Sequence, residues 1–151
     1  MDVKHNHRPI LIADDDEGDR FLTEKALKAN GLENPIQFAQ DGQELVDHLM
    51  KNLEAGPGKV SDLPCLILMD LNMPRLDGRA TLKVIKNHDR LKTIPVIIFS
   101  NSDNPKDVSD SYQKGANSFF MKPLDYVELV ALMGLLKTYW FQNAKLPALD
   151  A

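Results

Sequence analysis

The sequence predicts a doubly wound α/β fold, with five parallel strands in one sheet and helices on both faces. Three observations carry this reading. Short, apolar, β-rich runs alternate five times with helix-length amphipathic stretches, the pattern of a parallel sheet built through crossover connections. The strand candidates are unbroken apolar runs, as expected of strands covered on both sides. At 151 residues the chain suits one domain with a real core, whereas two domains would each be undersized.

Taken in order, Pro9–Ala13 is the first strand. Asp19–Asn30 follows as a helix, with Phe21, Leu22, Ala26 and Leu27 at helical spacing and Gly31 as its stop. Pro35–Gln40 is the second strand, and Asp41–Leu53 a helix with the stripe Leu45, Val46, Leu49 and Leu53. Glu54–Asp62 holds two glycines and a proline and reads as a surface loop. Leu63–Met69, the most hydrophobic strand candidate, ends at Asp70. A helix over Arg79–Asn87 leads to strand Ile94–Phe99. Asn104–Lys114 is a weak helix, anchored only by Val108 and Tyr112 and stopped by Gly115. Ser118–Met121 is the fifth strand, and the last helix spans Leu124–Asn143. The expected organisation is therefore a disordered or extended terminus over 1–8, one domain over 9–143 and a tail over 144–151.

Composition narrows the function classes. Hydrophobic residues at 43% and charged residues at 26% are ordinary for a soluble globular chain. A net charge of −4 without any basic run argues against a nucleic-acid partner. No apolar stretch reaches the roughly 18 residues a membrane span requires. Met1–Arg8 is polar and lacks the apolar centre of a signal peptide, so a cytoplasmic location is expected. Cys65 is the lone cysteine, which excludes an internal disulfide, and its apolar surroundings predict a buried structural thiol. His5 and His7 read as part of a frayed terminus; His48 and His88 receive no role.

In a sheet of this kind functional groups collect at the carboxyl ends of the strands, where strand order reverses. Asp14–Asp15–Asp16, Gln40–Asp41, Asp70, Ser100 and Lys122 stand at those five ends. Asp14, Asp15 and Asp70 converging at one rim would repel one another unless a cation or shared protons intervened. A hard divalent ion is the natural solution, and Mg²⁺, or Mn²⁺ in its place, leaves coordination sites open for a phosphate oxygen. Asp70 ends the central, most buried strand and is the best nucleophile, since a carboxylate can form an acyl phosphate. Lys122 can pair with Asp70 and then with phosphoryl oxygens. The Ser100 hydroxyl can donate to an oxygen that exists only after reaction, which is what a switch requires.

The runs ILIADDDEGDRF, LILMDLNMPRLDG, VIIFSNS and FFMKP resemble the four signature regions of response-regulator receiver domains of two-component signalling. The likeness covers Pro9 to Asn143. It implies a flavodoxin-like sheet of order 2-1-3-4-5 and a sensor histidine kinase as phosphodonor. Carried over residue by residue, it implies that Asp70 is the phosphoacceptor and a metal ligand. Asp15 would be a direct Mg²⁺ ligand, Asp14 would act through water, and Asn72 would act through its backbone carbonyl. Ser100 and Lys122 match the family's hydroxyl and lysine, Phe119 its rotating aromatic, and Asp77 and Gly78 a loop shaping the site. The long loop, the SNS segment and the aromatic last helix are similar to single-domain regulators associated with bacterial phytochrome kinases. Three features depart from the common pattern: the insertion around Glu54–Asp62, Asn101 after Ser100, and Phe119 in place of a tyrosine.

Phosphorylation is expected to draw Ser100 inward and let Phe119 fill the vacated space, with Asn101–Gly115 yielding most easily. The last helix is apolar nearly all round, and Tyr139, Trp140 and Phe141 cannot all face one core. An oversized core contact with exposed aromatics is one reading; the one preferred places Leu135, Tyr139, Trp140 and Phe141 at a homodimer or partner interface. With no room expected for an output domain after Asn143, the signal would leave through such contacts. Three rivals fare less well. An inert receiver-like scaffold would lack the acidic residues or the lysine. A haloacid-dehalogenase-type phosphatase would place its nucleophile on the first strand. A flavodoxin-like carrier would need a phosphate-cradling loop where Asp14–Glu17 stand.

Overall fold

Side chains alternating along each strand send the core to two opposite faces of one sheet. The structure, a computed structural model, describes residues 7–54 and 63–148. Strands β1 (Ile10–Ala13), β2 (Ile36–Ala39), β3 (Leu66–Met69), β4 (Val96–Ser100) and β5 (Ser118–Met121) pair in parallel in the order β2-β1-β3-β4-β5. Five helices connect or follow them: α1 (Glu17–Ala29), α2 (Gly42–Glu54), α3 (Gly78–Lys86), α4 (Pro105–Gln113) and α5 (Tyr126–Lys137). This is the flavodoxin-like architecture and sheet order expected.

Leu11, Ala13, Ile67, Met69, Val96 and Ile98 point to one side and meet Leu45 and Leu49 of α2 and Leu82 and Ile85 of α3. Their neighbours Ile10, Ile12, Leu66, Leu68, Ile97 and Phe99 point to the other, against Ala26 and Leu27 of α1 and Leu129, Met133 and Leu136 of α5. The period of two in a strand makes this division automatic. The central strands β1, β3 and β4 are buried throughout, while the edge strands β2 and β5 are partly exposed. Unbroken apolar runs thus marked the three inner strands correctly.

Several boundaries move, each for a local reason. α1 begins at Glu17, two residues earlier than expected, because the Asp16 carboxylate caps it by accepting the Asp19 N–H at 2.9 Å. α3 is likewise capped by Asp77, which accepts from Ala80 N. Gly31 takes a positive φ of 81° after α1, the conformation that ends helices at glycine. Tyr112 is not an anchor of α4: it is 49% exposed, and Ser111 is the helix's buried residue. The last helix does not run unbroken to Asn143. After Lys137 it widens into a π-helical turn over Thr138–Asn143, in which Ala144 N donates to Tyr139 O at 2.6 Å. Around this turn Tyr139 stays exposed while Trp140 and Phe141 tuck against the α1–α5 side of the core.

Residues outside the expected 9–143 span join the packing. Arg8 donates to Pro147 O and to Pro64 O, both at 3.0 Å, and Leu146 is buried. Cys65 is buried beside them with its thiol pushed up to about 11 by burial, in keeping with an inert core residue. His5 and nearly all of the expected loop (55–62) lie outside the described residues. Among the described residues no helix is long and apolar enough to cross a membrane.

Candidate functional site

Sheet register brings the expected groups together. Ala13 is level with Met69 across the β1–β3 pair, so Asp14 and Asp70 leave the sheet side by side. Their backbones stay in the ladder: Asp70 N donates to Ala13 O at 2.9 Å and Asp14 N to Ala39 O at 3.0 Å. Lys122 N donates to Ser100 O at 2.8 Å, which extends the β4–β5 pairing by one residue and aims the lysine at the same rim. The start of α3 presses on this rim from behind. A methyl at Gly78 would lie 2.3 Å from Asp70 O and 2.7 Å from Leu71 Cα, so only glycine allows the helix this close.

The centre of the site is an ammonium among carboxylates. Lys122 Nζ donates to Asp14 Oδ2 at 2.7 Å, Asp19 Oδ2 at 2.8 Å and Asp70 Oδ2 at 2.9 Å. An ammonium has three donors, and each is used. Lys122 is 8% exposed, and Asp14 and Asp70 are buried with it. Burial alone would push the lysine down; the bonds to Asp14, Asp19 and Asp70 overcome it and hold Lys122 above its ordinary value. Burial raises the Asp14 carboxyl, and the Lys122 bond offsets that only in part.

One oxygen each from Asp14, Asp15 and Asp70 lie within 4.8 Å of one another, and Asp15 faces solvent. Oxygen donors in this number and spacing suit a hard divalent cation, with the exposed side left for water or a phosphate oxygen. The donor set therefore fits the expected ion.

The flanking residues complete the picture. Asn72 is exposed, and its N–H donates to Asp70 Oδ1 at 3.3 Å. Ser100 is fully buried at the end of β4, and its Oγ accepts the Ser102 N–H at 3.2 Å. Ser102 Oγ donates to Asp107 Oδ2, and Arg79 Nη2 to Asp107 Oδ1, both at 2.7 Å. Arg79 first, then Ser102, holds the Asp107 carboxyl below the usual carboxylate range. Phe119 is half-buried against the α2–α3 side of the core, and its N–H donates to Tyr112 Oη at 3.2 Å. Asp41, also at a strand end, is engaged elsewhere. It accepts the Glu44 N–H as a helix cap and forms two bonds with Arg75 at 2.9 and 3.1 Å.

Sequence reasoning missed Asp19. It stands on the first turn of α1, the turn that rises from the same rim, and its position there was the available signal. The four expected interface residues divide: Leu135 and Tyr139 are 67% and 60% exposed, whereas Trp140 and Phe141 are partly buried.

Chemically, a buried carboxylate with a neighbouring ammonium, a hydroxyl and room for a divalent ion suits attack on a phosphoryl group. Comparison with known proteins agrees. Residues 10–133 match the family model described as the response regulator receiver domain. The response regulator Rcp1 of Synechocystis sp. is 31% identical over 147 residues, covering 97% of this chain and 98% of that protein. The crystal structure of the phosphorylated cyanobacterial phytochrome response regulator RcpA superposes with a TM-score of 0.84 at 31% identity, over 94% of this chain and 99% of the other. The Mn²⁺-bound form of Rcp1 gives 0.77 at 31% identity, over 93% and 99%.

Proposed function

Because this chain belongs to the response regulator receiver family, it is a phosphoacceptor signalling protein, and we propose that Asp70 is the carboxylate that accepts the phosphoryl group. A carboxylate oxygen of Asp70 attacks phosphorus of a phosphohistidine on a sensor kinase. The O–P bond forms as the P–N bond breaks, and the imidazole leaves with the electron pair. Asp15 and Asp70 would hold a divalent ion directly, with Asp14 acting through water and Asn72 through its backbone carbonyl. When bound, the ion, Mg²⁺ or Mn²⁺, supplies neutralising charge for the phosphoryl oxygens.

Lys122 then exchanges a carboxylate partner for a phosphoryl oxygen, acting as a point charge. Ser100 turns its hydroxyl to another oxygen and gives up the Ser102 N–H, so the new contact exists only in the phosphorylated state. Phe119 moves into the space beside it. Similarity to a phytochrome response regulator supports a phytochrome-type histidine kinase as donor. Leu135 of α5 and Tyr139 of the turn after it, both exposed, support a homodimer or partner contact there, and the net charge of −4 supports a protein partner over a nucleic acid.

One observation carries the assignment of Asp70. Of the carboxylates that Lys122 holds, it is the one ending the central strand, directly beside Asp14. Acetyl phosphate with Mg²⁺ should add one phosphoryl group to the wild-type chain by intact mass and none to Asp70→Asn. A phosphorylated Asp70→Asn chain would move the acceptor elsewhere.

A further inference from the structure

Asp19 is a third carboxylate on Lys122, yet it stands outside the Asp14–Asp15–Asp70 group whose oxygens cluster. We propose that Asp19 is a positioning residue, a standing partner that keeps the Lys122 ammonium paired while Asp14 and Asp70 turn to a divalent ion. The inference rests on the reading of that acidic group as the metal site.

Lys122 Nζ uses its three donors on Asp14, Asp19 and Asp70. Two of these three carboxylates are also the buried ligands of the acidic group. A cation taking them would leave a buried ammonium without acceptors, and an uncompensated charge in that setting is strongly unfavourable. Asp19 prevents this, because its Oδ2 need not move. It is held on a rigid element: its N–H donates to Asp16 Oδ1 at 2.9 Å, and its carbonyl accepts the Thr23 hydroxyl at 2.8 Å. It also borders a cavity of about 210 Å³ shared with Asn101, Lys122 and Leu124. Without Asp19, the lysine would depend wholly on Asp14 and Asp70 and compete with the ion for both.

Mg²⁺ titration by calorimetry at fixed ionic strength tests this, on the full chain as wild type, Asp19→Asn, Asp19→Glu, Glu17→Gln and Asp70→Asn. Asp19 is 39% exposed, so solvent screens much of its attraction. The expected loss in Asp19→Asn is on the order of fivefold in Mg²⁺ affinity, with Asp19→Glu recovering to within about twofold of wild type. Glu17, exposed in the same helical turn, controls for the general loss of a negative charge, and its variant should stay within about twofold of wild type. Circular dichroism without metal should show Asp19→Asn folded as wild type. Unchanged Mg²⁺ affinity in Asp19→Asn, or an equal loss in Glu17→Gln, overturns the inference while leaving the metal site standing. Wild type without Mg²⁺ binding removes both; loss of binding in Asp70→Asn supports the site on which the inference rests.

Discussion

Ser100 Oγ accepts the backbone N–H of Ser102 at 3.2 Å, so the hydroxyl assigned to the phosphoryl group already has a partner. Turning it inward releases Ser102, whose own hydroxyl is tied through Asp107 to Arg79 on α3. In Ser100→Ala, Asp70 still gains a phosphoryl group from acetyl phosphate. Amide exchange over 101–115 speeds by about fivefold on phosphorylation of wild type, the worth of one net hydrogen bond, and stays unchanged in the variant. Hydrogen-exchange mass spectrometry reads both; a wild-type response in the variant would break the link between Ser100 and α4.

Asp107 should show its charge in the pH dependence of stability. Its folded-state carboxyl lies below the ordinary value of 3.8 because of Arg79 and then Ser102. Such a group adds stability that is complete above about pH 5 and is lost as the pH falls through the folded-state value. Asp107→Asn therefore melts lower than wild type at neutral pH, and the gap closes as the pH falls below 3.8. Thermal melts across that range check it. A gap that persists in acid would assign the loss to packing of α4 instead.

Removing Lys122 leaves Asp14 and Asp70 buried side by side with no cation between them. Lys122→Ala is expected to lose about 3 kcal/mol of stability in a chelator, the scale for breaking a buried ion pair from one side. Saturating Mg²⁺ should restore much of that loss, since the proposed ion site is assembled only in the folded state. Urea denaturation with and without the ion measures both terms. Equal curves in the two conditions would mean that the carboxylates do not share a metal.

Arg75 has a positive φ of 63°, at the centre of a γ-turn closed by Leu76 N to Pro74 O at 2.7 Å. A side chain there is strained, and both variants lose the Arg75–Asp41 pair alike, so their difference reads the strain alone. Arg75→Gly relieves the strain while Arg75→Ala keeps it. The glycine variant should melt higher than the alanine variant by on the order of 3 °C. Equal melting temperatures would show that the turn relaxes freely.

Much of this site was legible before any coordinates. Asp14, Asp70, Ser100 and Lys122 each follow an apolar run, and parallel register alone carries such residues to one rim. Asp19 was less visible because it belongs to the first turn of a helix, and its approach to Lys122 depends on the angle at which α1 leaves the sheet. Hydrophobic patterning does not encode that angle. The π-helical turn escaped for a related reason: the pattern recorded the conflict among Tyr139, Trp140 and Phe141 but not its resolution. Tyr112 misled because a lone aromatic on a polar helix reads as an anchor, while its hydroxyl instead serves the backbone of Phe119.

The closeness of Gly78 to the carbonyl of Asp70 makes the main chain of the proposed phosphoacceptor an anvil. With a helix wedged behind it and β1 alongside, the residue has no recoil. On the proposed reading, displacement by an arriving substituent would be taken up on the opposite flank, by Ser100 and the two strands that end at Ser100 and Met121. The signal from the proposed acceptor would then leave by the flank that is free to yield.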